Sequence, residues 1–116
     1  DTDLFFESIM ARYQIQTDYL LLILFDRNTT NNTLRIALNT TVLLPGEYSK
    51  ADSRAVGFTG VDKDKQVDLS NPGSFTIQYD EATQKYTIKG VLNIAESASS
   101  PALTMGFEFV GEMIKL

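Results

Sequence analysis

The 116-residue chain contains no cysteine, no histidine and no tryptophan. Without cysteine there is no disulfide, no thiolate metal site and no thiol nucleophile. Without histidine the commonest general base and the commonest metal ligand are both gone, which removes Ser-His and Cys-His machinery and His-based zinc or iron centres. Basic charge is also scarce: ten Lys and Arg stand against fifteen Asp and Glu, a net charge of −5. The basic residues are scattered along the chain, so nucleic acid, which is bound mainly through clustered cations, is not an expected partner. No run is long enough for a membrane helix of about 20 residues. The most apolar window, "YLLLILF" (Tyr19 to Phe25), has the length of a central strand buried on both faces.

What is present is alternation. Apolar and polar residues alternate in short segments separated by turn residues, the pattern of an all-β sandwich or barrel in one domain spanning 1–116. "ESIMARYQIQ" sets Ile9, Ala11, Tyr13 and Ile15 against Arg12, Gln14 and Gln16. This predicts a strand from about Glu7, with a short helix over Thr2 to Arg12 as the competing reading. "DRNTTNN" is a turn, and "TLRIALNTTVLL" predicts a strand that runs to Leu44 and stops at Pro45-Gly46. From Tyr48 to Pro72 the pattern is weakest: "RAVGFTGV" predicts a strand weakened or bulged at Gly57 and Gly60, and Gln66 to Leu69 a short one. "SFTIQYD" and "KYTIKGVLNIAE" predict a hairpin with Phe75, Ile77, Tyr79, Tyr86, Ile88, Leu92 and Ile94 inward. Gly90 is the point where that face bends or another strand comes close. "LTMGFEFVG" closes the set. The expectation is about seven strands, all antiparallel, as a sandwich or partly open barrel.

The order Gly46-Glu47-Tyr48, then Gly73, Thr76, Ile77, Tyr79 and Asp80, then Lys85, Ile88 and Gly90, then Gly106-Phe107, resembles small exported lipoprotein domains of Bacteroidetes-type bacteria. The resemblance spans most of the chain after Asn32. It implies a β-sandwich-like domain of the bacterial cell envelope, with membrane attachment only through a lipid anchor outside this chain. The family's function is unassigned, so it carries over no catalytic residue and no cofactor.

Several clusters invite a chemical reading. Asp80 and Glu81 are adjacent carboxylates, but at a hairpin tip they stay solvated, and a raised-pKa acid needs burial. Asp80 instead suits the first turn position, where it accepts backbone N–H bonds. "DKDKQVD" (Asp62 to Asp68) has carboxylates at spacing two, yet lacks the glycine and bidentate glutamate of a calcium loop, so no metal is expected. Asn28, Asn31 and Asn39 each begin an N-x-Thr triplet, which turn preference explains as well as glycosylation does. Among aromatics that could stack on a ligand, Tyr48 and Phe58 fall in the irregular middle and are the candidates for exposed binding residues.

The sequence therefore predicts a non-catalytic domain that binds a protein or glycan partner through loops or an edge strand, without a cofactor. The alternative is a small lipocalin-like barrel enclosing an apolar ligand, motivated by the surplus of large apolar side chains.

Overall fold

The computed structural model describes residues 2–29, 31–60 and 65–116. Nine strands are present among the described residues: β1 (Leu4–Ile15), β2 (Leu20–Asp26), β3 (Thr33–Leu38), β4 (Gly46–Tyr48), β5 (Ser53–Thr59), β6 (Gly73–Asp80), β7 (Lys85–Ile94), β8 (Leu103–Gly111) and β9 (Met113–Lys115). Seven have six residues or more, and a single 3₁₀ turn, Lys50–Asp52, joins β4 to β5. They form one sheet in the order β4-β6-β7-β8-β1-β2-β3-β5, with β9 against the far half of β1. The two ends of the sheet, β4 and β5, are consecutive in the chain, so the sheet curls until it is nearly a closed barrel.

One seam departs from the antiparallel expectation. β1 pairs with β8 in parallel, Leu4 opposite Met105 through Ser8 opposite Phe109, and β9 continues in parallel beside Ala11 to Tyr13. Short loops force antiparallel pairing only between successive strands. β1 and β8 come from opposite ends of the chain, and everything between them serves as the connection.

β1 begins at Leu4, three residues before the expected start, and no helix forms there. Its alternation changes phase at a bulge between Ser8 and Met10. Before the bulge Phe6 and Ser8 are buried, and after it Ala11 is fully buried and Tyr13 packs on the core. The Ser8 hydroxyl donates to the Met10 carbonyl at 2.9 Å, satisfying a backbone group that the bulge takes out of the ladder. Ile9, expected on the same face as Ala11, is 53% exposed, and Ile15 lies outside as well.

β3 stops at Leu38, so the predicted continuation to Leu44 fails; Val42 and Leu44 are exposed. The chain leaves the sheet at Asn39, whose N–H donates to the Asp52 carbonyl at 2.6 Å. After Pro45, Gly46 adopts φ 149° and the next residues return as β4 on the edge of β6. Pro-Gly thus opens a strand where a stop was expected. The expected short strand around Gln66 to Leu69 reduces to one bridge, Val67 opposite Ile94.

The interior is occupied by side chains. Leu20, Leu22, Leu24, Leu34, Ile36, Leu38, Ile77 and Ile88 are all 0–1% exposed. One row of register partners crosses the barrel wall as Tyr48, Phe75, Gly90, Phe107 and Phe6. Phe75 and Phe107 meet at 5.9 Å between ring centroids on the two sides of Gly90, and Phe6 meets Phe58 at 6.2 Å. A side chain at Gly90 would strike β6: an added Cβ would sit 2.5 Å from the Phe75 Cα. The close approach expected at this glycine is therefore real.

Candidate functional site

The two aromatics expected to be exposed take different places. Phe58 is 9% exposed and belongs to the core, so it is not the surface aromatic the sequence suggested. Period-two burial on β5, Val56 and Phe58 inward, explains why. Tyr48 is half-buried, stacked on Phe75 at 5.4 Å and 8° between planes, with its hydroxyl donating to the Leu44 carbonyl. Burial pushes its phenol above the ordinary value; the Leu44 bond opposes this and the Asp52 charge adds to it. The remaining surface of Tyr48 borders an open depression of about 540 Å³ with Glu47, Thr76, Lys89 and Val91.

Tyr79 and Tyr86, both expected inward, pair at 4.7 Å near the end of the barrel. Tyr86 packs on the core, whereas Tyr79 is 40% exposed, because the β6–β7 hairpin extends beyond the core at its tip. At that tip Asp80 accepts the Ala82 N–H at 2.9 Å, the turn role predicted for it, and Glu81 is exposed. Of the acidic loop, Asp62 and Asp64 lie outside the described residues. Asp68 accepts the Ser70 hydroxyl at 2.7 Å and the Ser70 N–H at 3.1 Å, which holds its carboxyl below the usual range. Asn28, Asn31 and Asn39 are exposed.

The feature that sequence reading missed is on the outer face of β1, β2, β3 and β5. Three of the chain's four arginines, Arg12, Arg35 and Arg54, gather there. Register explains the gathering: Arg12 on β1 and Arg35 on β3 are both direct partners of Ile23 on β2. Between these two arginines Ile23 is only 6% exposed although it points away from the barrel interior. The aliphatic stems of the arginines supply the cover that a second layer would give. Arg12 also lies 5.5 Å over the Phe25 ring, and Arg54 5.0 Å over Tyr19.

The ion pairs of this region sit at its two ends. Glu7 pairs with Arg27 at 2.9 Å, and Asp18 pairs with Arg54 at 3.0 Å. Between them, no ion pair to Arg12 or Arg35 occurs among the described residues. The Arg12 Nε is buried with no hydrogen-bond partner, an uncommon state for a charged donor. Arg35 is exposed, and its register partner on β5 is Gly57, around whose Cβ position the space is open for 4 Å. A depression of about 540 Å³ follows, floored by Leu21, Ala37, Ala55 and Gly57 and flanked by Arg35 and Arg54.

Chemically, this is an apolar floor with forked cationic donors, suited to a carboxylate carried on an apolar body. The sequence did place Arg12 opposite the inward set of its strand, and the same alternation in "TLRIAL" sets Arg35 against Leu34 and Ile36. It contained nothing to show that one isoleucine would lie between them. No family model, no curated protein and no solved structure matches the chain.

Proposed function

We propose that this chain is a non-catalytic binding domain that engages a protein partner through the arginine-bearing outer face of β1, β2, β3 and β5. The observation that carries the reading is the concentration of three arginines, two of them without a carboxylate partner among the described residues, on an apolar face of a protein with net charge −5. Charge and apolar area together favour a protein partner over a glycan, since Phe58 is in the core and Tyr48 is half-covered by Phe75. A place in the bacterial cell envelope follows from the resemblance noted in the sequence. The lipocalin-like alternative is less favoured, because Phe107, Phe109, Leu92 and the leucines of β2 fill the space a lipid would need.

The test is differential capture. Immobilised wild type, Arg35→Glu and a control, Lys89→Glu on β7, are exposed to an extract of the source cells. A protein retained by wild type and Lys89→Glu but lost with Arg35→Glu is the expected result. Capture that never depends on Arg35 would overturn the reading, and displacement of a fluorescent fatty acid would favour the alternative instead.

A further inference from the structure

The free edge of β5 adjoins the arginine face. β5 is the last strand in the sheet order: it pairs with β3 on one side, and among the described residues no strand pairs with its other side. An unpaired edge is normally shortened, charged or interrupted by proline. The opposite end of the sheet follows that rule, since β4 has three residues and is preceded by Pro45. β5 follows it only at its start, where Arg54 is its one charge and the pairing with β3 shifts register at Ala37 and Leu38; from Ala55 to Thr59 it carries no charge and no proline. Its inward residues Val56 and Phe58, at 9% each, are the most exposed members of the core, so the barrel is least covered along this seam.

Resting on the binding role proposed above, we infer that the β5 edge takes up an extended, carboxylate-bearing segment of the partner chain as an added strand. Backbone hydrogen bonds to β5 would give the segment its place, and alternate side chains would decide specificity. Ala55 and Gly57 leave the outer face low beside the edge, and with Gly57 opposite Arg35 no side chain of β5 stands between that guanidinium and the incoming strand. Acidic side chains on the outer face of the segment therefore meet Arg35 and Arg54, while apolar ones on its inner face extend the cover over Val56 and Phe58. A second copy of this chain fits less well. Edge-to-edge pairing of two β5 strands would bring both sets of arginines onto one continuous face, where like charges oppose each other.

The probe is a labelled, end-capped peptide of seven alternating Glu and Val residues, read by fluorescence anisotropy and by amide exchange of β5. Binding is expected, with slowed exchange across Arg54 to Phe58, about tenfold weaker affinity for Arg35→Gln, and loss of affinity as salt rises. Two further peptides are N-methylated at the odd or at the even positions, so one of the two removes the donors that face β5. That peptide must fail to bind. If both methylated peptides bind like the parent, or if a Lys-Val peptide binds equally well, the inference is overturned. If no peptide binds while capture still depends on Arg35, strand addition is wrong and the binding face stands. Dimerisation through β5, seen by size-exclusion chromatography and abolished by Gly57→Lys, which adds an outward charge where the space is open, would also replace this inference with self-pairing.

Discussion

Replacing Gly90 by alanine adds one methyl group, and the structure makes its cost large. The new Cβ would lie 2.3 Å from the Ser74 carbonyl oxygen, 2.4 Å from the Phe75 Cβ and 2.5 Å from the Phe75 Cα. None of these atoms can move by rotating a side chain, so the β6–β7 seam itself must open. Overpacking a core costs about 1–3 kcal/mol, and contacts this short with backbone put Gly90→Ala near 3 kcal/mol. A chain of this length has a total stability of roughly 6–17 kcal/mol. At about 2.1 cal/mol/K per residue its unfolding entropy is about 0.24 kcal/mol/K, so the melting temperature should fall by roughly 12 °C. Gly57 provides the matched control, since nothing lies within 4 Å of its added Cβ and its φ is ordinary. Gly57→Ala should gain about 0.4–1 kcal/mol by restricting the unfolded chain, raising the melting temperature by about 2–4 °C. Thermal and urea unfolding of both variants, with the urea m-value unchanged, tests the contrast. Gly90→Ala within about 0.5 kcal/mol of wild type would refute the claim that β6 and β7 touch at this residue.

Two other outcomes follow from local geometry. Gln84, the last residue of the β6–β7 turn, holds φ 57°, where a side chain costs about 1 kcal/mol, so Gln84→Gly should stabilise by about 0.5–1 kcal/mol in urea unfolding. Burial raises the phenols of Tyr48 and of Tyr86, where Tyr13 and Tyr79 add to the effect. An acid whose folded pKa is raised binds its proton more tightly when folded. The stability linked to these tyrosines is thus complete below their unfolded value near 10 and is lost as pH rises through the higher folded values. Absorbance titration at alkaline pH should show Tyr48 and Tyr86 ionising above the ordinary phenol value, with Tyr48→Phe removing one of these two transitions.

The β6–β7 hairpin was legible in the sequence, apart from Tyr79 at its tip, because alternation, turn chemistry and glycine placement agreed there. Apolar residues alternate without interruption from Phe75 to Ile77 and again around Ile88, Asp80 makes the predicted turn bond, and Gly90 lies where its neighbour comes close. β1 was only half legible. The bulge after Ser8 exchanges its inward and outward sets, and a reading that follows one parity must fail on one side of it. Ile9 is the casualty, apolar and in phase with Ala11 yet exposed. The parallel seam between β1 and β8 was illegible for another reason. It joins residues about a hundred positions apart, and no local pattern records which distant edges meet. Phe58 was misplaced because Gly57 and Gly60 obscured the alternation that buries it.

The arginine face follows from the same limit, and from the most apolar stretch in the chain. "LLLILF" offers apolar residues to both sides of β2, which asks for a layer of structure on each face. The inner face receives it: Leu20, Leu22 and Leu24 are fully buried. Among the described residues no helix longer than the single 3₁₀ turn and no second sheet exists to cover the outer face. Arg12 and Arg35 bury Ile23, and Arg12 reaches partly over Phe25, while Leu21 and Phe25 stay half-exposed beside them. Lysine would also have covered the isoleucine with its stem, but arginine adds a planar fork that remains available after its stem is packed. The outer face of β2 is therefore closed at its centre and open on either side, with donors already held in place by the packing beneath them. Under the binding role proposed above, a partner chain covers the rest and brings the carboxylates that Arg12 and Arg35 lack among the described residues.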